Sequence, residues 1–415
     1  MEERNNSVPV PAPYIARFEQ HGLGMYVHLG LYSLLHRGEW AMHFHHIDHG
    51  EYRELMRIFR PVSMEEIVKV GKDAGCKYIC LTTRHHDGFS LYDTCGLNTY
   101  DAPHALAGRD LVREFVDACR KEDVVPHFYH TTLDWVHPDF KNDFPAYLAY
   151  LRKSVELLCK NYGPIGGFEF DGNWSRKDVD WEEDALYSMI RRYQPEAMII
   201  NNTGLSQRGA LGNEHIDSVT YEQGLPTPID RRGMKKYVAA EMAMTLNSHW
   251  GDADDYNFKS PRRIIEDICA CRKVGANMLL NVGPGRDGTV PLMSRALMNT
   301  LGKWMRLYGT AIYNGRPYLA KEGAKDFILR DAYDETVFYL FKHDLGINGD
   351  PNVTLAEGGR GVAVFEDFPK TPASVTWMDN GEALQFEHHG DTLTVGCTDF
   401  RYGQNHCVRV ARIIV

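Results

Sequence analysis

Eight times between residues 24 and 283 a short apolar run breaks off in polar or glycine-rich residues, and most of these runs are followed by an amphipathic segment. The runs begin "GMYVHLGLYS" at Gly24, "YICLTTRHHDGF" at Tyr78, "VVPHFYHTTLDW" at Val124 and "GGFEFDGNW" at Gly166. They continue with "AMIINNTG" at Ala197, "DSVTYEQG" at Asp217, "YVAAEMAMT" at Tyr237 and "NMLLNVGPG" at Asn277. Between them, Leu111, Phe115 and Ala118 share a helical face, as do Leu148, Leu151, Val155 and Leu158. "SPRRIIEDICACRKVG" opens on Ser-Pro and closes on Gly275, a start and a stop for a helix. Eight strand–helix alternations predict a (β/α)8 TIM-type barrel. A doubly wound open sheet shares the linear pattern, but no G-x-G-x-x-G follows the first strand to support its usual dinucleotide function.

After "LGKWMRLYGTAIYNGRPY" the texture changes to short alternating segments split by Asn-Gly and His-Gly turns. These predict a small all-β sandwich. The expected organisation is a barrel over residues 1–317 and a β-sandwich over residues 318–415.

The 415-residue chain is 43% hydrophobic and carries a formal net charge of −10, which argues against a nucleic-acid partner because phosphate backbones need clustered Lys and Arg. No apolar stretch is long enough to span a membrane, and the polar, proline-rich opening does not read as a signal segment. Nine scattered cysteines without C-x-x-C spacing fit reduced thiols and a cytoplasmic setting. "HFHHIDHG" from His43 lacks an H-E-x-x-H frame or a matched second ligand set, so neither a metal nor another cofactor is expected. Homo-oligomerisation is left open.

Chemistry in such a barrel gathers at the C-terminal ends of the strands. There the sequence places His28, then Glu39 and Trp40; Arg84, His85, His86 and Asp87; Tyr129, His130, Asp134 and Trp135. It adds Glu169, Asp171 and Trp174; Tyr221 and Glu222; Glu241, Asn247, His249 and Trp250; and Asn281. Glu169 and Asp171 are two apart in a strand, so both carboxylates share a face. Imidazoles, carboxylates and aromatic rings without a phosphate-cradling loop describe a pocket for a neutral polyhydroxylated ligand. Two carboxylates on different strands suggest glycoside hydrolysis. A metal-dependent hydrolase on His28, His85, His86 and the His43–His49 cluster, and a sugar-binding protein without turnover, are the alternatives.

From about residue 15 to residue 317 the sequence resembles the α-L-fucosidases of glycoside hydrolase family 29, through "HLGLYS" with "GEW", "LTTRHHDGFSLYDT", "DLVREFVDACR", "FDG", "LNSHWGD" and "MLLNVGPGRDG". The resemblance implies a retaining hydrolase that releases terminal α-L-fucose from fucosylated oligosaccharides or glycoconjugates, with Asp171 as nucleophile. It implies an acid/base at Glu241 in "AAEMAMTLNSHWGD", with Glu222 in "TYEQGLP" as the other candidate. His28, Glu39, Trp40, His85, His86 and Tyr129 become the sugar-contacting set, with Glu169 and Trp250 beside them. Two departures stand out: Glu169 where the family commonly carries Trp, and Asp252 in "HWGD" where it carries Tyr.

Overall fold

The structure, a computed structural model, describes residues 7–350, 352 and 361–415. Of the polar opening, residues 1–6 lie outside the described residues. The eight expected runs form eight parallel strands: β1 (Leu23–Val27), β2 (Tyr78–Arg84), β3 (Val125–Thr131), β4 (Gly167–Asp171), β5 (Met198–Asn202), β6 (Ser218–Thr220), β7 (Ala239–Thr245) and β8 (Asn277–Val282). They pair in chain order, and β8 returns to β1 with Leu23 set against Met278, so the sheet is a closed barrel and not a doubly wound open one. Strands β1, β2, β7 and β8 are buried along their whole length, which is why they read as continuous apolar runs rather than alternating ones.

Local chemistry sets the helices between them. Asp110 accepts a hydrogen bond from the backbone N–H of Arg113 at the start of helix Leu111–Lys121, and Asp143 does the same for Ala146 ahead of Phe144–Asn161. Ser260 caps helix Pro261–Lys273, and Gly275 just beyond it takes the left-handed φ of +81° that a helix stop favours.

Inside the barrel Tyr26, Tyr78, Cys80, Tyr129, Met198, Ile200, Ala239, Ala243 and Leu279 pack together. The parallel register then determines what stands above them. Tyr129 faces Glu169, which faces Ile200; one step nearer the mouth, Thr131 faces Asp171, which faces Asn202. On the other side Glu241 lies between the inward residues Ala239 and Ala243, level with Thr220 and Asn277. β6 is the shortest of the eight strands, three residues long.

β4 is followed by Gly172, whose φ of +118° is open only to glycine at low cost. A Cβ here would come within 2.6 Å of both the backbone nitrogen and the Cβ of Leu133. This close approach turns the chain at once into the 3-10 segment Asn173–Ser175.

The chain divides into two compact units, the first containing β1–β8, the second made of Ser260–Ala276 and Thr300–Val415. In the second, β9 (Gly315–Ala320), β10 (Phe327–Asp331), β11 (Val337–His343), β12 (Val362–Phe365), β13 (Ser374–Trp377), β14 (Phe386–His389), β15 (Thr392–Gly396) and β16 (Val408–Ile414) form two antiparallel sheets. Their orders are β13-β16-β11-β10-β9 and β12-β15-β14. Phe338 and Leu340 from the first meet Phe365, Leu393 and Val395 from the second in one core, the expected sandwich. The fully buried Arg409 is admitted there because Asp379 takes both sides of its guanidinium, at 2.9 and 3.1 Å, while the Trp377 ring lies 4.4 Å from it.

Among the described residues none of the nine cysteines forms a disulfide, and no helix is long and apolar enough to cross a membrane. Replacing Gly172 by Ala should cost roughly 1–3 kcal/mol from the backbone alone. A clear fall in the thermal midpoint of Gly172→Ala is the expected result, and an unchanged midpoint would show that Leu133 gives way freely.

Candidate active site

A cavity of about 440 Å³ opens at the C-terminal ends of the strands. His28, Glu39, Trp40, His85, His86 and Tyr129 all line it, as do Glu169, Asp171, Glu222 and Trp250. Of the residues given a catalytic or sugar-contacting role from the sequence, Glu241 alone does not line it; of the other strand-end residues, Arg84, Asp87, His130, Asp134, Trp135, Tyr221, Asn247, His249 and Asn281 do not line it either.

Asp171 ends β4 and receives four donors. Trp174 Nε1 donates to Oδ1 at 2.7 Å, and Asn202 Nδ2 approaches the same oxygen at 3.3 Å. The Tyr129 hydroxyl donates to Oδ2 at 3.0 Å, and His86 Nε2 stands 3.4 Å from it. Burial alone pushes this carboxyl up, but His86, Trp174 and Tyr129 outweigh it and hold Asp171 below the usual carboxylate range. The turn forced by Gly172 is what delivers Trp174 to its oxygen.

The imidazoles divide by environment. His28 Nδ1 lies 2.7 Å from Asn281 Oδ1, while Asn281 Nδ2 donates to the Trp250 carbonyl. That assignment makes Nδ1 of His28 the donor and leaves Nε2 as an acceptor. Burial lowers His28 to about 3 and drives His85 well below its ordinary value, so both are neutral at pH 7. His86 Nδ1 lies 2.6 Å from Thr131 Oγ1, which fixes the ring that faces Asp171. Glu39 Oε2 accepts from the backbone nitrogens of Trp250 and Gly251 at 3.0 and 2.8 Å, tying the loop after β1 to the loop after β7. Trp40 lies stacked against Trp174, 6.1 Å between ring centres, and Trp250 packs on His28 at 5.1 Å. The result is an apolar wall of indoles around convergent polar atoms.

The two acid/base candidates separate sharply. Glu222 follows β6, half-buried at the cavity, and its Oε2 accepts from Asn202 Nδ2 at 2.8 Å. The same amide nitrogen contacts Asp171, so the nearest oxygens of the two carboxyls lie no more than roughly 6 Å apart. Burial first, then the charge of Asp171, raises the Glu222 carboxyl above its ordinary value. Glu241 lies deeper, 1% exposed, bonded by the Tyr78 hydroxyl on one oxygen and without a hydrogen-bond partner on the other. Burial pushes it up to about 7. Sequence reasoning places Glu241 ahead of Glu222; alternation along β7 puts Glu241 inside the barrel, but it does not line the cavity that Glu222 borders.

Among the described residues no Arg, Lys or His stands within ion-pair distance of Glu169. It borders the cavity, with the Cys80 thiol 3.8 Å from Oε2 and the Tyr26 hydroxyl as its other hydrogen-bond partner. Asp252 pairs instead with His36, 2.6 Å away, and lines a separate cavity beside β7 and β8. In the His-rich stretch, His43 stacks on Trp135 and Asp48 caps helix His49–Arg53. Among the described residues no three His, Cys, Asp or Glu side chains gather as a ligand set for a metal ion. Asn202 is the functional residue that sequence reasoning missed; "INNTG" closes the one strand to which no site residue was assigned, and that gap was the available signal.

The family model for α-L-fucosidase matches residues 2–310. The tissue α-L-fucosidase of Mus musculus is 27% identical over 367 residues, covering 79% of this chain and 78% of that protein. The human tissue enzyme is 27% identical over 340 residues, covering 74% and 70%. Among solved structures, α-L-fucosidase isoenzyme 1 from Paenibacillus thiaminolyticus superposes with a TM-score of 0.82 at 28% identity, covering 97% of this chain and 98% of that one. A family 29 α-L-fucosidase from Bacteroides thetaiotaomicron, trapped as a covalent intermediate with 2-fluoro-fucosyl fluoride, shares the fold with a TM-score of 0.81 at 23% identity, covering 98% and 97%. A family match over most of the barrel, on a cavity built from two neighbouring carboxyls and a wall of indoles, places this chain in the α-L-fucosidase family of glycoside hydrolases, family 29.

Proposed function

We propose that this chain hydrolyses terminal α-L-fucosides with retention, Asp171 acting as nucleophile and Glu222 as acid/base. The observation that carries the reading is the Asn202 amide nitrogen shared by the two carboxyls. Retaining glycosidases hold their carboxyls about 5–5.5 Å apart, inverting ones about 6.5–9.5 Å to admit a water. A bridge of one nitrogen supports the closer class.

The two acids then differ by surroundings, not by type. Four donors keep Asp171 ionised, so it can attack C1 from below and form a fucosyl ester as the aglycone bond breaks. For Glu222, desolvation and the Asp171 charge outweigh the Asn202 amide and the Arg208 guanidinium, which bonds the backbone carbonyl of Glu222, so the carboxyl retains the proton that the leaving oxygen needs. When Asp171 becomes esterified its charge vanishes, and Glu222 loses one reason to stay protonated. It then serves as base to the incoming water. The Trp40, Trp174 and Trp250 rings suit the C–H faces of a pyranose, and neutral His28 and His85 suit its hydroxyls.

Asp171→Asn should lower kcat on an aryl α-L-fucoside by roughly 10⁴-fold or more, and a 2-fluoro-fucosyl fluoride should esterify Asp171 in the wild type; mass spectrometry finding the label on another residue would sink the assignment. Glu222→Ala should be rescued by azide with formation of the α-configured fucosyl azide, whereas Glu241→Gln should show no azide dependence. Rescue of the second and not the first would reverse the roles. The kcat/KM profile should rise as Asp171 ionises below the usual carboxylate range and fall as Glu222 loses its raised proton. In Glu222→Gln, assayed on an activated fucoside, the falling limb should disappear; its persistence would assign that limb elsewhere.

A further inference from the structure

Two buried carboxyls inside the barrel, Glu169 at 5% and Glu241 at 1% exposure, have no cation in ion-pair contact among the described residues. Buried acids are normally paired, and breaking even with an apolar replacement requires good partners. Glu169 has poor ones: a thiol at 3.8 Å, which is a weak donor, and the Tyr26 hydroxyl. Packing does not call for a carboxylic acid here either, since its neighbours in the register are Tyr129 and Ile200. What Glu169 does have is the cavity. It lines the same space as Asp171, two residues deeper along β4, a step of about 6.6 Å.

That step has a chemical meaning once the reacting carbon is placed. A sugar whose C1 lies at the Asp171 carboxylate, with its aglycone toward Glu222 and the mouth, extends the opposite side of its ring toward the floor. We propose that Glu169 is a specificity-determining residue of this floor, hydrogen-bonding a hydroxyl on the side of the sugar away from C1, at C3, C4 or the exocyclic carbon on C5. The proposal rests on the fucoside-hydrolase reading above for the position of C1.

Burial, followed by the charges of Glu241 and Asp171, holds the Glu169 carboxyl well above its ordinary value, so it meets the ligand as a neutral acid. A neutral acid both donates and accepts, which matches a hydroxyl. It also spares Asp171 a second negative charge one layer below. Glu241, itself pushed up to about 7 by burial and with one oxygen unpartnered, supplies no counter-charge to Glu169.

The test is a coupling measurement. Dissociation constants of L-fucose, 3-deoxy-L-fucose, 4-deoxy-L-fucose and L-galactose are measured by calorimetry on wild type, Glu169→Leu and Glu169→Gln. One of the three hydroxyls should strengthen binding to the wild type by roughly 10- to 100-fold, contribute less than about threefold in Glu169→Leu, and keep most of its contribution in Glu169→Gln. Glu169→Met, unbranched and close in volume, replaces the Leu variant if that one does not fold. All three hydroxyls keeping their wild-type contributions in the apolar variant would overturn the proposal. Turnover of an aryl α-L-fucoside by the wild type tests the hydrolase reading separately, because the coupling is read from monosaccharide binding alone.

Discussion

A carboxylate can keep its charge in a buried site only if donors replace the water it has lost. Asp171 meets that condition through Trp174, Asn202, Tyr129 and His86, and each comes from a different part of the barrel mouth. Tyr129 stands on β3, Asn202 ends β5, His86 follows β2, and Trp174 arrives through the turn at Gly172. Barrel closure and parallel register are therefore the reason this acid is ionised. A shift of β5 by one residue against β4 would turn the Asn202 side chain outward. It would remove both the donor to Asp171 and the bridge to Glu222 in one step.

The same donors define an electrostatic contrast over a short distance. Around Asp171 the polar hydrogens converge; around Glu222 one amide nitrogen and the nearby Arg208 are outweighed by burial and a neighbouring negative charge; around Glu169 there is little beyond a thiol and a phenol. Three acids of similar intrinsic strength thus divide into one held ionised and two pushed toward the neutral form. The neutral imidazoles of His28 and His85 add hydrogen-bonding capacity without adding charge. A site so arranged suits an uncharged ligand that acquires positive character only as its anomeric bond breaks.

Much of this was legible beforehand, for definite reasons. Parallel strands buried on both faces leave unbroken apolar runs, so all eight could be located from composition alone. Asp171 was visible because an acid closing such a run before Gly and Trp has few structural uses. Depth was not legible. Glu241 and Glu222 both belong to strand-end neighbourhoods in the linear sequence, and alternation tells which face a side chain takes but not how far it lies below the mouth. The register alone does not show it either, since Glu241 pairs with Thr220 in the row that leads to Asn202 and Asp171; only the cavity, lined by Thr220, Glu222 and Ala243 and not by Glu241, separates the two acids. Asn202 was hidden for another reason: an asparagine at a strand end is an ordinary turn residue until its partner across the ladder is known.

β6 holds only three residues, less than half the length of β2, β3 or β7. A staff so short contributes little to the hoop of hydrogen bonds, and the segment beyond it is correspondingly free to be lengthened, shortened or redrawn without loosening the nucleophile's own seat on β4. Glu222 hangs from that segment. Evolution can thus move the proposed proton donor along the rim to suit differently shaped leaving groups, while Asp171 stays where the rest of the cylinder was built to hold it.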